Sequence, residues 1–156
     1  MPNGRVLYGG RGIEPDVRVA AATPSALRSR INEAAFFFVR QVAAGKIAGL
    51  ESLKAEKQTF KQTLAPNEFQ VTDKMLDAFR SFAAADKVYG LTAENVNAQL
   101  DHARTRIREE LATAHYSTEA GVQVLLEVDP QIAKAIESIP EAAKLTESGG
   151  LFRAAK

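Results

Sequence analysis

The chain is 156 residues long and 46% hydrophobic, and its 20 lysine and arginine residues against 19 aspartate and glutamate residues leave a formal net charge of +1. That length suits about one domain with its own core, and the near-neutral charge argues against a general nucleic-acid binder. Cysteine is absent, which excludes thiolate chemistry, and we expect neither a membrane span nor a targeting signal in this sequence.

The first 22 residues favour short strands and turns. Residues 5–8 have strand-forming side chains, the glycines that follow allow positive φ angles, and residues 17–19 alternate in a second short segment. We expect this stretch to be the edge of a β structure whose other strands lie outside this sequence. Residues 5–19 are then disordered, or they pair with a neighbouring chain.

Helical signals begin at Thr23 and continue almost to the end of the sequence. We predict five helices, with the last one broken or kinked at Pro140; they cover about 23–45, 46–64, 72–90, 92–126 and 129–147. The fold class is therefore mainly α, a bundle of about five helices preceded by a short Gly-rich β/turn segment. We assign residues 1–22 to that segment, 23–147 to a helical domain and 148–156 to a flexible tail.

Three consecutive phenylalanines lie in the first predicted helix. Phe38 falls on the apolar stripe of that helix, whereas Phe36 points about 150° away from it. Two interpretations stay open: the helix is buried on several sides, or Phe36 and Phe37 form an apolar patch that docks something outside the domain. Phe36 and Phe37 are therefore the candidate binding residues.

No catalytic residue or metal ligand set can be assigned from the sequence, and no cofactor is expected. His102 and His115 point to sides of a helix that differ by about 140°, which disfavours a shared zinc ion. We expect His102 to be solvated, and His115 to be partly buried and satisfied by a hydrogen bond.

Charged residues alternate along the fourth predicted helix. Glu109 and Glu110 lie among three arginines, a pattern typical of ion pairs on a helix surface; the arginines are Arg104, Arg106 and Arg108. The arginines also suggest phosphate binding, but the interleaved acids and the lack of stacking aromatic residues weaken that interpretation.

The string from Gly4 to Asp16 resembles a family hallmark. It is similar to the Gly-Arg-x-x-Tyr-Gly-Gly-Gly-Gly-Ile-x-Pro-Asp segment that closes the catalytic core of the C-terminal processing, or tail-specific, serine peptidases. Arg11 departs from the pattern at a position that is usually glycine. The residues that match are Gly4, Arg5, Tyr8, Gly9, Gly10, Gly12, Ile13, Pro15 and Asp16.

The rest of the chain resembles, more weakly, a helical extension found in some bacterial members. The similar segments are residues 35–37, 69–73 and 125–131. In the family, a serine nucleophile and a lysine general base precede the glycine-rich segment, and a PDZ domain commonly selects substrate carboxyl termini. These parts would precede Met1, so no catalytic residue is carried over and this chain alone should be inactive.

The resemblance implies the non-catalytic C-terminal helical region of a serine-type peptidase that processes proteins near their C-termini. The region would brace, dock or regulate the catalytic core of a parent that is periplasmic or otherwise extracytoplasmic. Its partners would be that core, the protein substrates of the parent and, as a further option, a second copy in a homo-oligomer; nucleic acid is not expected. The alternative is a free-standing helical module that binds a protein or peptide.

Overall fold

A computed structural model describes residues 15–20, 23–57 and 59–148. In these ranges the regular structure is helical and includes no strand, which confirms a mainly α bundle. The helices are α1 (Ala26–Ala43), α2 (Asp73–Ala85), α3 (Ala93–Asn97), α4 (Leu100–His115), α5 (Thr118–Glu127) and α6 (Pro130–Ser148). None of the described helices has the length and apolar character needed to cross a membrane.

The chain folds as two compact units. The larger unit, Thr23–Val128, contains α1 to α5, with α4 packed between α1 and α5 and with α2 against α1. Its core is apolar, since no charged or polar residue of the described ranges is fully buried. The largest side chains in this core are Phe38, Phe79, Ile31, Leu76, Ile107 and Leu111.

Helix α1 lies within the predicted range 23–45 but begins later than predicted, at Ala26, after Ser25 as N-cap. Its buried residues recur every three or four positions, as expected for one face packed on a core. The helix ends at Ala43, and Gly45 then adopts a positive φ of 71° while its amide donates to the Val42 carbonyl at 2.8 Å. A glycine at this place suits a left-handed helix terminus.

The helix predicted over residues 46–64 is wrong. Among its described residues the structure has a single 3-10 turn, Glu51–Leu53, and irregular backbone elsewhere. The lysines, glutamates and glutamines of this stretch have high helix propensity, but few apolar residues lie between them to bury a helical face. We call residues 59–71, which lie along α4 and α5 in an irregular conformation, the strap.

The single helix predicted over 92–126 is also wrong, because the structure divides it into α3, α4 and α5. Thr92 and Asn95 form a capping box at the start of α3. Ser117 begins α5 by accepting a hydrogen bond from the Ala120 amide. A serine at that position is a recognised N-cap, and that signal was overlooked in a run of otherwise helical spacing.

The smaller unit contains α6 together with the described residues 15–20. The Asp129 carboxylate accepts from the amides of Gln131 and Ile132, so the predicted start of this helix is confirmed. The sequence predicted a break or a kink at Pro140; the break is wrong, since α6 continues through this residue. Residues 17–19 form no strand, although Gln131 Nε2 donates to the Val19 carbonyl at 3.4 Å.

Several predictions concern residues outside the described ranges. They include the strand at residues 5–8, the match from Gly4 to Ile13 in the glycine-rich string, and the tail beyond residue 148.

Candidate functional site

The three phenylalanines of α1 have different environments. Phe38 is fully buried, with its ring centroid 5.4 Å from that of Phe79 and 5.5 Å from that of Phe82. Phe36 and Phe37 keep 40% and 41% of their surface exposed. The helix therefore presents one ring to the core and two to the surface.

Phe36 and Phe37 form what we call the aromatic patch. Their rings meet edge to face at 5.2 Å, and the Arg40 guanidinium lies 5.4 Å from the centroid of Phe36. Phe37 also lies 6.4 Å from the ring of Tyr89. Both rings are thus partly packed against neighbours, and the exposed remainder is available to a partner.

The strap carries a more exposed ring than the aromatic patch does. Phe60 is 82% exposed, and the Lys61 amide donates to the Thr59 carbonyl at 2.7 Å, which closes a tight turn around it. The sequence prediction placed Phe60 on the apolar side of a helix and so overlooked it. The threonine, lysine and glutamine residues on either side of Phe60 were the available signal that its side chain is exposed.

Side chains and backbone at the junction of α4 and α5 hold the strap on both sides of Phe60. The Thr59 amide donates to the His115 carbonyl at 3.1 Å, and Ser117 Oγ donates to the Lys61 carbonyl at 3.1 Å. Gln123 uses both ends of its amide: Nε2 donates to the Gln62 carbonyl, and Oε1 accepts from the Leu64 amide. The strap therefore has a defined path despite its irregular backbone.

Two arginines of α4 hold the later part of the strap. Arg104 donates to the Val71 carbonyl at 2.7 Å and pairs with Asp73 at 2.8 Å. Arg108 donates to the Glu68 carbonyl at 3.1 Å and to the Pro66 carbonyl at 3.2 Å, and it pairs with Glu127. These carbonyls have no helical partner, so the guanidinium groups replace the missing backbone hydrogen bonds.

The Glu68 carboxylate joins two other residues of the strap to Tyr116, the residue that follows α4. It accepts from Lys61 Nζ at 2.8 Å, from the Ala65 amide at 2.6 Å and from the Tyr116 hydroxyl at 2.8 Å. These donors, Lys61 foremost, lower the pKa of Glu68 to about 2. In return, the hydrogen bond from each donor to Glu68 raises the pKa of Lys61 and that of Tyr116.

An aromatic cluster lies beside this carboxylate. The Phe69 ring lies 4.9 Å from the His115 ring and 5.3 Å from the Tyr116 ring. Phe69 has a φ of 54°, a left-handed conformation that a bulky residue keeps when its surroundings hold it. His115 is half-buried with Nε2 3.0 Å from the Leu53 carbonyl, which confirms its prediction.

Arg106 is the arginine of α4 that pairs with the two neighbouring glutamates. Its guanidinium lies 2.9 Å from Glu109 Oε2 and 2.9 Å from Glu110 Oε1, although the approach to Glu109 lacks the alignment of a hydrogen bond. All three side chains are more than 80% buried, so the expected surface position is wrong. Burial raises the pKa of Glu109 and of Glu110.

His102 was expected to be solvated, and this prediction is wrong. The side chain is half-buried, with Nε2 2.8 Å from Asn32 Oδ1 on α1. Burial, together with the positive charge of Arg28, lowers the pKa of His102. In the described ranges no three acidic or histidine side chains are placed to hold a metal ion.

The smaller unit contains a groove of about 680 Å³ between residues 15–19 and one side of α6. Pro15 and Asp16, the two described residues of the glycine-rich match, line it together with Gln131, Lys134 and Ala135. The groove has the volume of a small-molecule site, and its lining also includes charged and hydroxyl side chains, among them Arg18, Ser138 and Glu141.

The described surface thus carries exposed aromatic rings on the larger unit and a groove on the smaller one. Comparison with family models, with curated proteins and with solved structures gives no match to this chain.

Proposed function

We propose that this chain is the non-catalytic C-terminal helical region of a serine peptidase of the C-terminal processing type. The observation that carries the proposal is the resemblance of the string from Gly4 to Asp16, in which Arg11 is the one departure. The reaction itself would use a serine and a lysine of the parent, without a cofactor. The parent would act on protein substrates near their carboxyl termini, outside the cytoplasm.

The role proposed for the helical region is to dock on the catalytic core and brace it. Two features support this role. The larger unit has its own apolar core, so it can act as a rigid support. It also keeps the aromatic rings of Phe36, Phe37 and Phe60 at its surface, where contact with a partner would remove apolar area from water. Self-association into a homo-oligomer would use the same kind of surface.

The second candidate is a free-standing helical module that binds a protein or peptide. The aromatic patch favours this candidate as well, because aromatic residues are enriched in protein interfaces. The two candidates differ in the partner: the first requires a peptidase core in the same polypeptide, and the second binds a separate molecule.

The reading frame upstream of the Met1 codon separates these candidates. A frame that encodes a PDZ-like region and a Ser/Lys pair in continuity with this chain supports the peptidase proposal. If translation starts at Met1 instead, the proposal fails and the binding module takes its place.

A second measurement tests the bracing role within the complete parent. Melting temperature and cleavage of matched peptides are compared between the parent and a truncation that lacks residues 23–156. A lower melting temperature with unchanged peptide preference is expected for a brace. Changed preference at unchanged stability would contradict bracing and indicate substrate selection.

A further inference from the structure

We infer that α6 assembles three or four copies of this chain through a stripe of isoleucines. The partner of the stripe is the same stripe on the other copies, and the α6 helices pack together as a bundle. The inference concerns the smaller unit and is independent of the peptidase proposal.

Helix α6 exposes a continuous apolar stripe. Ile132, Ile136 and Ile139 are 39%, 60% and 60% exposed, and Ala143, also exposed, follows four residues later. The spacing of four, three and four residues brings these side chains onto one line along the helix, because residues three and four apart share a face. This is the a/d spacing by which helices pack on one another. The stripe spans two heptads and is complementary to a surface that is itself apolar.

The charged residues of α6 lie away from the stripe. At 100° per residue, the four charged residues whose side chains are described point about 110° or more away from it; they are Lys134, Glu137, Glu141 and Lys144. Two positive and two negative charges favour no anionic membrane surface, since helices that lie on membranes carry lysine and arginine on their polar side. Copies of α6 meet no like-charge repulsion along the stripe.

The residues beside the stripe favour more than two copies. Isoleucine at both core positions of a heptad favours three or four helices over two. In two-stranded coils the flanking positions are often charged, whereas here they are apolar and exposed: Ala133, Ala135, Pro140 and Ala142. These flanks widen the apolar face, so that it can be covered by two neighbouring helices at once.

The area of contact leads to the same conclusion. Two heptads of helix form a strip about 20 Å long and 10 Å wide, so a pair of α6 helices covers roughly 400 Å² in total. Stable interfaces bury about 1,200–2,000 Å². In a bundle of three or four helices each helix has two neighbours, which raises the total to about 1,200–1,600 Å². A pair of α6 helices is therefore too small an interface, whereas a bundle reaches the required area.

Sedimentation equilibrium of the chain over a range of protein concentrations tests the inference. The mass should reach three or four times that of one chain. Ile136→Gln removes an isoleucine from the middle of the stripe in every copy. This variant should need about tenfold more protein, or more than that, for half-complete assembly, because each copy loses one buried apolar side chain.

Lys134→Gln is the matched control, since it places the same residue on the opposite side of the same helix. Glutamine has good helix propensity, so both variants should keep the circular dichroism of the unchanged chain. The control should assemble like the unchanged chain. An unchanged chain that stays monomeric, or stops at a dimer, overturns the inference whatever the variants do. An oligomer that persists in Ile136→Gln also overturns it, because its interface would then lie elsewhere on the chain.

Discussion

Replacing Phe38 by alanine should destabilise the larger unit far more than the same change at Phe36, two positions away. Phe38 is completely buried between Phe79 and Phe82. Truncation of a buried phenylalanine to alanine costs about 3–5 kcal/mol, because transfer energy is lost and a cavity remains. Since small domains are stable by about 5–15 kcal/mol, the variant would lose a large part of its stability.

Phe36→Ala is the matched control within the same helix. Phe36 is already 40% exposed, and its truncation removes an edge contact with Phe37 and the stacking of Arg40. Each of these is worth about 0.5–1.5 kcal/mol at most in such positions. The expected free-energy loss is therefore about 1–2 kcal/mol, below that of Phe38→Ala by about twofold or more.

Urea unfolding, followed by circular dichroism at the helical band, measures both losses in the intact chain. The midpoint of Phe38→Ala should fall much further than that of Phe36→Ala, at similar slopes. Equal losses, or a larger loss at Phe36, would refute the assignment of Phe38 to the core and the surface position of the patch.

Three further predictions concern the strap and the helix crossing. The pKa of Glu68 is about 2 in the folded protein, below the value of about 4.3 in an unfolded chain. The ionised Glu68 therefore stabilises the fold above about pH 4, and this contribution is lost as the pH falls towards 2. Melting temperatures between pH 5 and pH 2 should therefore fall less steeply in Glu68→Gln, and parallel curves would contradict this. Gly121→Ala should lower the urea midpoint. A Cβ at this position would collide with the Thr113 hydroxyl and lie 3.0 Å from the Glu109 carbonyl oxygen. Overpacking of this kind costs about 1–3 kcal/mol. A raised midpoint would mean that α4 and α5 are further apart. Gln123→Ala removes the acceptor of the Leu64 amide. Hydrogen exchange at that amide should become about tenfold faster, the factor expected for the loss of one hydrogen bond. Gln99→Ala, which removes a bond to Arg28, serves as the control and should leave that amide unchanged.

Local signals in the sequence were sufficient for the helices that begin at a strong cap. Thr72 accepts from the Met75 amide at the start of α2, and Asp129 begins α6, both at the predicted positions. The strap could not be predicted in this way. Its conformation depends on donors from α4 and α5 that are distant in sequence, such as Gln123 and Arg108.

Of the exposed aromatic residues, the sequence singled out Phe36 and Phe37 but not Phe60. Phe36 and Phe37 were singled out because they depart from the period of a real helix. Phe60 was assigned to a helix that does not exist, so its exposure followed from the strap and not from any periodicity. Tertiary hydrogen bonds had overridden local propensity there.

The arginines of α4 serve two structural tasks. Arg104 and Arg108 are four residues apart and share a face, which lies along the strap, while Arg106 points about 200° away from Arg104. Arg104 and Arg108 donate to strap carbonyls and pair with carboxylates of α2 and α5, and Arg106 lies between Glu109 and Glu110. A phosphate ligand would have to compete with these internal partners for each guanidinium. The three arginines that suggested phosphate binding in the sequence are thus engaged in contacts within the fold.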